Sequence, residues 1–328
     1  MDRVLSGIQP TGDIHLGNYL GAVRQWAADQ HTYDSFYCVV DLHALTIPRD
    51  PFELRAKTLQ TVLILIAAGL DPDHCTLFLQ SHVAEHTQLC WLLECVASMG
   101  ELRRMTQFKE KAKGGEESAR VGLFTYPVLQ AADILLYDAD RVPVGDEQRQ
   151  HLELCRDLAI RFNHRYGDTF IVPEAAVPAV GARIMDLQNP EAKMSKSAES
   201  PKGVVMALDD PDTIERKFKR AVTDPGANVR FDMEHKPGVS NLLQILAAAT
   251  GRSPEDVAGA YDQYGPLKAD AAAAVIELLR PVRERYTELA DDPGAAEAVV
   301  KQGADKARAV AAEALARAQD AVGLLAAG

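Results

Sequence analysis

Arg3-Val4-Leu5-Ser6-Gly7-Ile8, then Gln9-Pro10-Thr11-Gly12, then Ile14-His15-Leu16-Gly17-Asn18-Tyr19 is the stretch that decides the fold. Apolar residues give way to a Pro/Gly turn and then to helical spacing, so the segment reads strand, loop, helix, with the helix beginning near Gly17. Working outward, β-branched and apolar runs predict further strands at Phe36–Val40, Thr76–Leu79 and Arg141–Val144. Between them, apolar residues three and four apart predict helices at Leu54–Ala68 and Glu147–Phe162. Strands alternating with helices specify an α/β fold, a parallel sheet covered on both faces. Strand signals stop near residue 205. The remaining chain is Ala-rich and helical, punctuated by Asp-Pro-Gly at 224–226, Lys-Pro-Gly at 236–238 and Asp-Pro-Gly at 292–294. The expected organisation is an α/β domain over 1–205 and an all-helical domain over 206–328. Lys113–Ser118 and Ala198–Gly203 read as mobile loops.

The 328 residues carry 47% hydrophobic and 25% charged side chains, the make-up of a globular protein. No apolar run approaches the ~20 residues that cross a bilayer, and the N-terminus lacks a basic patch followed by an apolar core. Five cysteines without a C-x-x-C pair (Cys38, Cys75, Cys90, Cys95, Cys155) suggest reduced thiols in the cytoplasm. A net charge of −12 is unusual for a nucleic-acid binder. Binding follows local patches, however, and two basic clusters stand out: Arg103, Arg104, Lys109, Lys111, Lys113, and Arg216, Lys217, Lys219, Arg220.

In a parallel sheet, ligands bind beyond the carboxyl ends of strands. The loop after the first strand offers this place, with Gly12, Gly17 and Gly21 allowing close approach and a helix N-terminus suited to phosphate oxygens. His15 and Asn18 add donors that can follow charge developing on phosphorus. A Walker A loop is absent. Far along the chain, Lys193-Met194-Ser195-Lys196-Ser197 sets two lysines three residues apart on a loop able to close over a triphosphate. Asp133, inside the apolar run FTYPVLQAADILLY (124–137), is a carboxylate that needs a partner if buried. It either caps a helix or meets an arginine, or it accepts a donor-only ligand group such as an indole N–H.

His15-Leu16-Gly17-Asn18 resembles the HIGH element, and Lys193–Ser197 the KMSKS loop, of class I aminoacyl-tRNA synthetases. SGIQPTGDIHLGNYLGA (6–22), GELRRMTQFKEK (100–111), GDEQRQHLELCRD (145–157), VGARIMDL (180–187) and KPGVSNLL (236–243) are similar to the tryptophanyl branch, bacterial type. The resemblance implies a Rossmann-like catalytic domain with a helical insertion at about 48–120 forming a homodimer interface, and an anticodon-reading helical domain. It implies ATP with Mg²⁺ on its phosphates, L-tryptophan and tRNA(Trp) as partners, no protein-held metal, and no membrane or DNA. Asp133 would accept the indole N–H; Tyr126 and Gln148 would hold the amino group; Gly7, His43, Gln130, Ile134, Val142 and Val144 would wall the pocket. Gln9, Pro10, Thr11, Gly17, Asn18, Gly145, Asp146, Glu147, Ile184 and Met194 would surround the nucleotide, with Ser195 and Ser197 in the lysine loop. His15, Asn18, Lys111, Lys193 and Lys196 would stabilise the transferring phosphate. The chain departs from the pattern at Gln130, Leu5 and the order Asp146-Glu147.

Two other motifs carry less weight. His82-Val83-Ala84-Glu85-His86 matches H-x-x-E-H of inverted zinc peptidases, but it directly follows a strand. His151-Leu152-Glu153 with Cys155 lacks the second cysteine of a deaminase site. A tyrosyl enzyme and a catalytically silent synthetase-like protein remain the alternative readings; Asn18 and the QPTG turn speak against the first, the intact lysine loop against the second.

Overall fold

A computed structural model describes residues 1–10, 13–111, 119–143, 148–176, 183–195, 200–226 and 228–325, without the side chains at 110–111 and 175–176. The expected loop at 113–118 lies outside the described residues. Strands β1 (Arg3–Ile8), β2 (Asp34–Val39), β3 (Thr76–Leu79), β4 (Arg141–Pro143) and β5 (Glu174–Ala176) form one sheet in the order β3-β2-β1-β4-β5. Every pairing is parallel. β5 has no apolar β-branched run to announce it; Glu-Ala-Ala becomes a strand by pairing with the edge of β4. The helical expectations correspond to Pro51–Ala67 and Arg149–Tyr166.

Both faces of the sheet are buried. Tyr37, Val39 and Leu77 enter one core with Ile14, Leu16 and helix Pro51–Ala67. Leu5, Phe36, Cys38 and Phe78 enter the other with helices Glu85–Glu94, Val121–Leu135 and Arg149–Tyr166. Successive strand residues point to opposite faces, so a doubly covered sheet needs consecutive apolar residues, as at Phe36, Tyr37, Cys38 and Val39 and at Leu77, Phe78 and Leu79. From β1 the chain winds outward through β2 and β3 to one edge, then returns to β4 on the other side. The switch between β1 and β4 leaves a crevice at their carboxyl ends.

Among the described residues the last strand ends at Ala176, before residue 205, while the core runs on past it. Helix Pro293–Ala321 lies along β3, burying Ala296, Val300, Gly303, Ala304, Ala307, Ala311, Ala314 and Ala318. The stripe of small residues lets the helix axis come close, and at Gly303 an added Cβ would overlap the Leu77 carbonyl oxygen. Arg308 donates to the His82 carbonyl at 2.8 Å and Lys306 to that of Pro72 at 2.9 Å. A strand edge that would otherwise be an open pairing surface is thereby covered.

Gly303→Ala is expected to destabilise the protein by about 1–3 kcal/mol through overpacking against backbone that cannot yield; thermal or urea unfolding checks it. A second expectation concerns acid. Arg161 holds the Glu101 carboxyl down to about 2 from 4.5, against the opposing effect of burial and with help from Ser98. Because the folded value is depressed, this contribution is complete above about pH 4.5 and is lost as pH falls towards 2. Glu101→Gln should therefore lower stability at neutral pH by about 1 kcal/mol, a figure kept small because Arg161 is partly exposed, and flatten the acid limb of the unfolding curve.

Candidate active site

The segment after β1 becomes helix because His15, in extended conformation, caps it: its Nδ1 accepts from the Asn18 N–H at 3.2 Å. That bond puts the ring proton on Nε2. The turn Leu16–Asn18 continues through a π-helical stretch, Tyr19–Val23, into Arg24–Asp29. Residues 204–207 clasp it from the side, Leu16 N–H donating to Val205 O and Ala207 N–H to Ile14 O, both at 2.8 Å. At Gly17 an added Cβ would stand 3.0 Å from the His15 ring and 3.7 Å from Met194 Cβ, so this glycine is needed for close approach. At Gly21 an added Cβ would meet nothing within 4 Å, so packing within the chain does not require a glycine there.

Met194 brings the lysine loop to the first loop. Its N–H donates to Ile184 O at 3.0 Å, and Asp186 N–H to Ala192 O at 2.9 Å, so 184–194 folds back on itself. Asn241, at the start of helix Pro237–Thr250, then grips Met185 by both backbone groups, accepting from its N–H and donating to its C=O at 2.9 Å each. Leu187 N–H donates to Gly203 O at 2.9 Å. The stretch 200–203, expected to be mobile, is a 3-10 turn capped by Ser200, with Gly203 buried against the Asp186 carboxylate. Ile14, Leu16, Ile184 and Met194 share one core. His15, Gly17, Asn18, Ile184, Lys193 and Met194 thus meet at one end of β1; Thr11, Lys196, Ser197, Val144, Gly145, Asp146 and Glu147, and the side chain of Lys111, lie outside the described residues.

A second cluster sits on the other face of β1. Helix Val121–Leu135 carries Asp133 on its buried side, 5% exposed. Among the described residues its hydrogen-bond partners are neither an arginine nor a helix end. Oδ1 accepts from Gln80 Nε2 at 2.8 Å and His86 Nδ1 at 2.6 Å; Oδ2 accepts from Gln80 Nε2 at 2.9 Å and His43 Nε2 at 2.8 Å. Burial opposes the charge, but the hydrogen bonds from His43 and His86 outweigh it and hold the carboxyl well below its ordinary range. His86 Nε2 meets the Tyr137 hydroxyl at 2.8 Å. The Tyr126 ring stands edge-on to His43 at 6.1 Å, its hydroxyl 3.0 Å from Gln107 and 2.8 Å from His151. Gln130 donates to Gln148 at 3.2 Å. Leu5, Ile134 and Val142 are buried in the same core, and a Cβ at Gly7 would press Val40.

Sequence reading missed Gln80, His86, Tyr137 and Asn241. His86 stands in the H-x-x-E-H string, whose pattern points to a metal and not to a carboxylate. His82 lies on a 3-10 turn and His86 on the following helix, both of its nitrogens engaged by Asp133 and Tyr137. Lys217, expected in the basic patch, is tied to Asp209 at 2.6 Å, leaving Arg216, Lys219 and Arg220 exposed.

The sequence model of the tRNA synthetases class I (W and Y) matches residues 2–280. Tryptophan--tRNA ligase 1 of Streptomyces coelicolor is 56% identical, covering 99% of this chain and 98% of the relative. Tryptophan--tRNA ligase of Caldanaerobacter subterraneus is 53% identical over 99% of both. Among solved structures, tryptophanyl-tRNA synthetase of Mycoplasma pneumoniae superposes with a TM-score of 0.92 at 35% identity, covering 99% of this chain and 98% of that one. The Campylobacter jejuni enzyme complexed with ADP and tryptophan gives 0.84 at 34%, over 98% and 100%. With its sheet order, its two motif loops in contact and these likenesses, the chain belongs to the class I tRNA synthetases of the tryptophan and tyrosine branch.

Proposed function

We propose that the chain activates L-tryptophan with ATP and loads it onto tRNA(Trp). The observation that carries this is Asp133: a buried carboxylate kept ionised by hydrogen bonds from His43, His86 and Gln80 is an acceptor suited to a donor-only indole N–H. The relatives above 50% identity bear tryptophan in their names; tyrosyl enzymes among the solved structures are 18–23% identical and share the fold.

In the proposed reaction a tryptophan carboxylate oxygen attacks the α-phosphorus of ATP, a new O–P bond forms, and the α–β bridge breaks to release pyrophosphate. No side-chain nucleophile is required. His15, Asn18, Lys111, Lys193 and Lys196 position the triphosphate and oppose the growing charge. Tyr126 and Gln148 hold the amino group, and Gln9, Pro10 and Ile184 border the nucleotide. Among the described residues this end of β1 gathers backbone N–H groups, an imidazole, an amide and a lysine, donors that suit phosphate oxygens; Mg²⁺ would come with ATP and neutralise its phosphates. A hydroxyl of the terminal ribose of the tRNA then attacks the carbonyl carbon of the adenylate, forming the tryptophanyl ester as the acyl–phosphate bond breaks and AMP leaves.

Residues 206–328 are the part assigned to the anticodon, with Arg216, Lys219 and Arg220 contacting phosphate. A homodimer fits the exposure of Phe52 (81%), Trp91 (66%), Met99 (61%) and Val121 (76%) within or beside the 48–120 segment. Five free thiols suit a reducing cytoplasm.

Pyrophosphate exchange run with tryptophan, tyrosine and phenylalanine side by side should favour tryptophan over phenylalanine by about 10⁴ or more; equal rates sink the assignment. Lys193→Ala should cost about 10²–10³ in exchange rate. For the assembly, sedimentation should give a dimer for the native chain and a monomer for Trp91→Glu; a native monomer refutes the interface.

A further inference from the structure

Asp133 is reached by two kinds of donor, and they differ in what they can do. His43 lines the side where the Tyr126 ring stands. Gln80 and His86 are wholly buried, each 0% exposed, so neither touches a substrate. Gln80 cannot turn its amide over: its Oε1 accepts from the Leu42 N–H at 3.2 Å, which leaves Nε2 to face both carboxylate oxygens. His86 is fixed in the same way from its far end. An ionised carboxylate only accepts, so the ring proton lies on Nδ1, and Nε2 is left to take the O–H of Tyr137 at 2.8 Å.

We propose that Gln80 and His86, backed by Tyr137, are specificity-determining positioning residues that lock the Asp133 carboxylate and leave Oδ2 as the oxygen that receives the indole N–H. Each oxygen accepts two hydrogen bonds, but both donors on Oδ1 are wholly buried, whereas Oδ2 takes one of its two from His43, beside the Tyr126 ring at the pocket wall, the donor whose place an indole N–H would take. Without the clamp the carboxylate rotates about its terminal bond, and the cost of offering it an N–H-free ligand falls. The proposal rests on reading Asp133 as the indole acceptor.

The test compares kcat/KM for tryptophan with that for 3-benzothienylalanine, an isostere with sulfur in place of N–H, in pyrophosphate exchange. A general loss of structure lowers both and leaves their ratio alone. His86→Phe should reduce the native ratio about 10–100-fold. His86→Asn, whose amide nitrogen can stand where Nδ1 stood, should restore it to within about threefold of native. If His86→Phe keeps the native ratio while Asp133→Asn loses it, the clamp is wrong and the Asp133 reading stands. If Asp133→Asn keeps the ratio, that reading itself fails. Should His86→Phe not fold, Tyr137→Phe decides: the ratio falls if Tyr137 orients the ring, and an unchanged ratio overturns the proposal.

Discussion

A single negative charge in an apolar interior governs the middle of this molecule. Bare burial of a carboxylate costs several kcal/mol, so the chain must bring donors to Asp133 from distant places. Gln80 comes from the end of β3, His43 from the short helix after β2, and His86 from the helix after β3. Their convergence fixes helix Val121–Leu135 against the carboxyl ends of two strands. The same bonds keep the carboxyl ionised, because every partner donates. On the proposed reading of Asp133, structural need and substrate recognition are met by one arrangement.

The nucleotide side is built differently. Backbone pairing, not side-chain charge, sets its shape: 14–16 against 205–207, 184–186 against 192–194, and Asn241 closing the last gap. Glycines at 17 and 203 permit these approaches where a Cβ would not fit. Lys193 is carried on this frame, and on the proposed reading such a fixed frame is how positioning lowers a barrier without a nucleophile.

The helical C-terminal part is also more than an appendage. Its last helix seals β3 and joins both cores, Ala296 and Val300 on one side, Ala304 to Ala318 on the other. The small-residue stripe that makes this contact looks in sequence like a featureless Ala-rich helix, since nothing local says which surface it will cover.

The alternation of strands and helices, the loop after β1 and the lysine loop were legible in residues alone, because hydrophobic period, Gly/Pro turns and motif spacing are local properties. So was Asp133, an ionisable group in an apolar run. Its partners were not. His86 lies 47 residues away and Gln80 53 residues away, and neither has a local reason to face a carboxylate. β5 escaped notice because pairing, not propensity, made it a strand, and Asn241 because its partners are backbone groups of another segment. The sequence by itself determined most of the elements and which residue types are available for chemistry. The tertiary structure decided which donors meet which acceptors, since a buried charge selects its partners through space and chain order does not encode that distance.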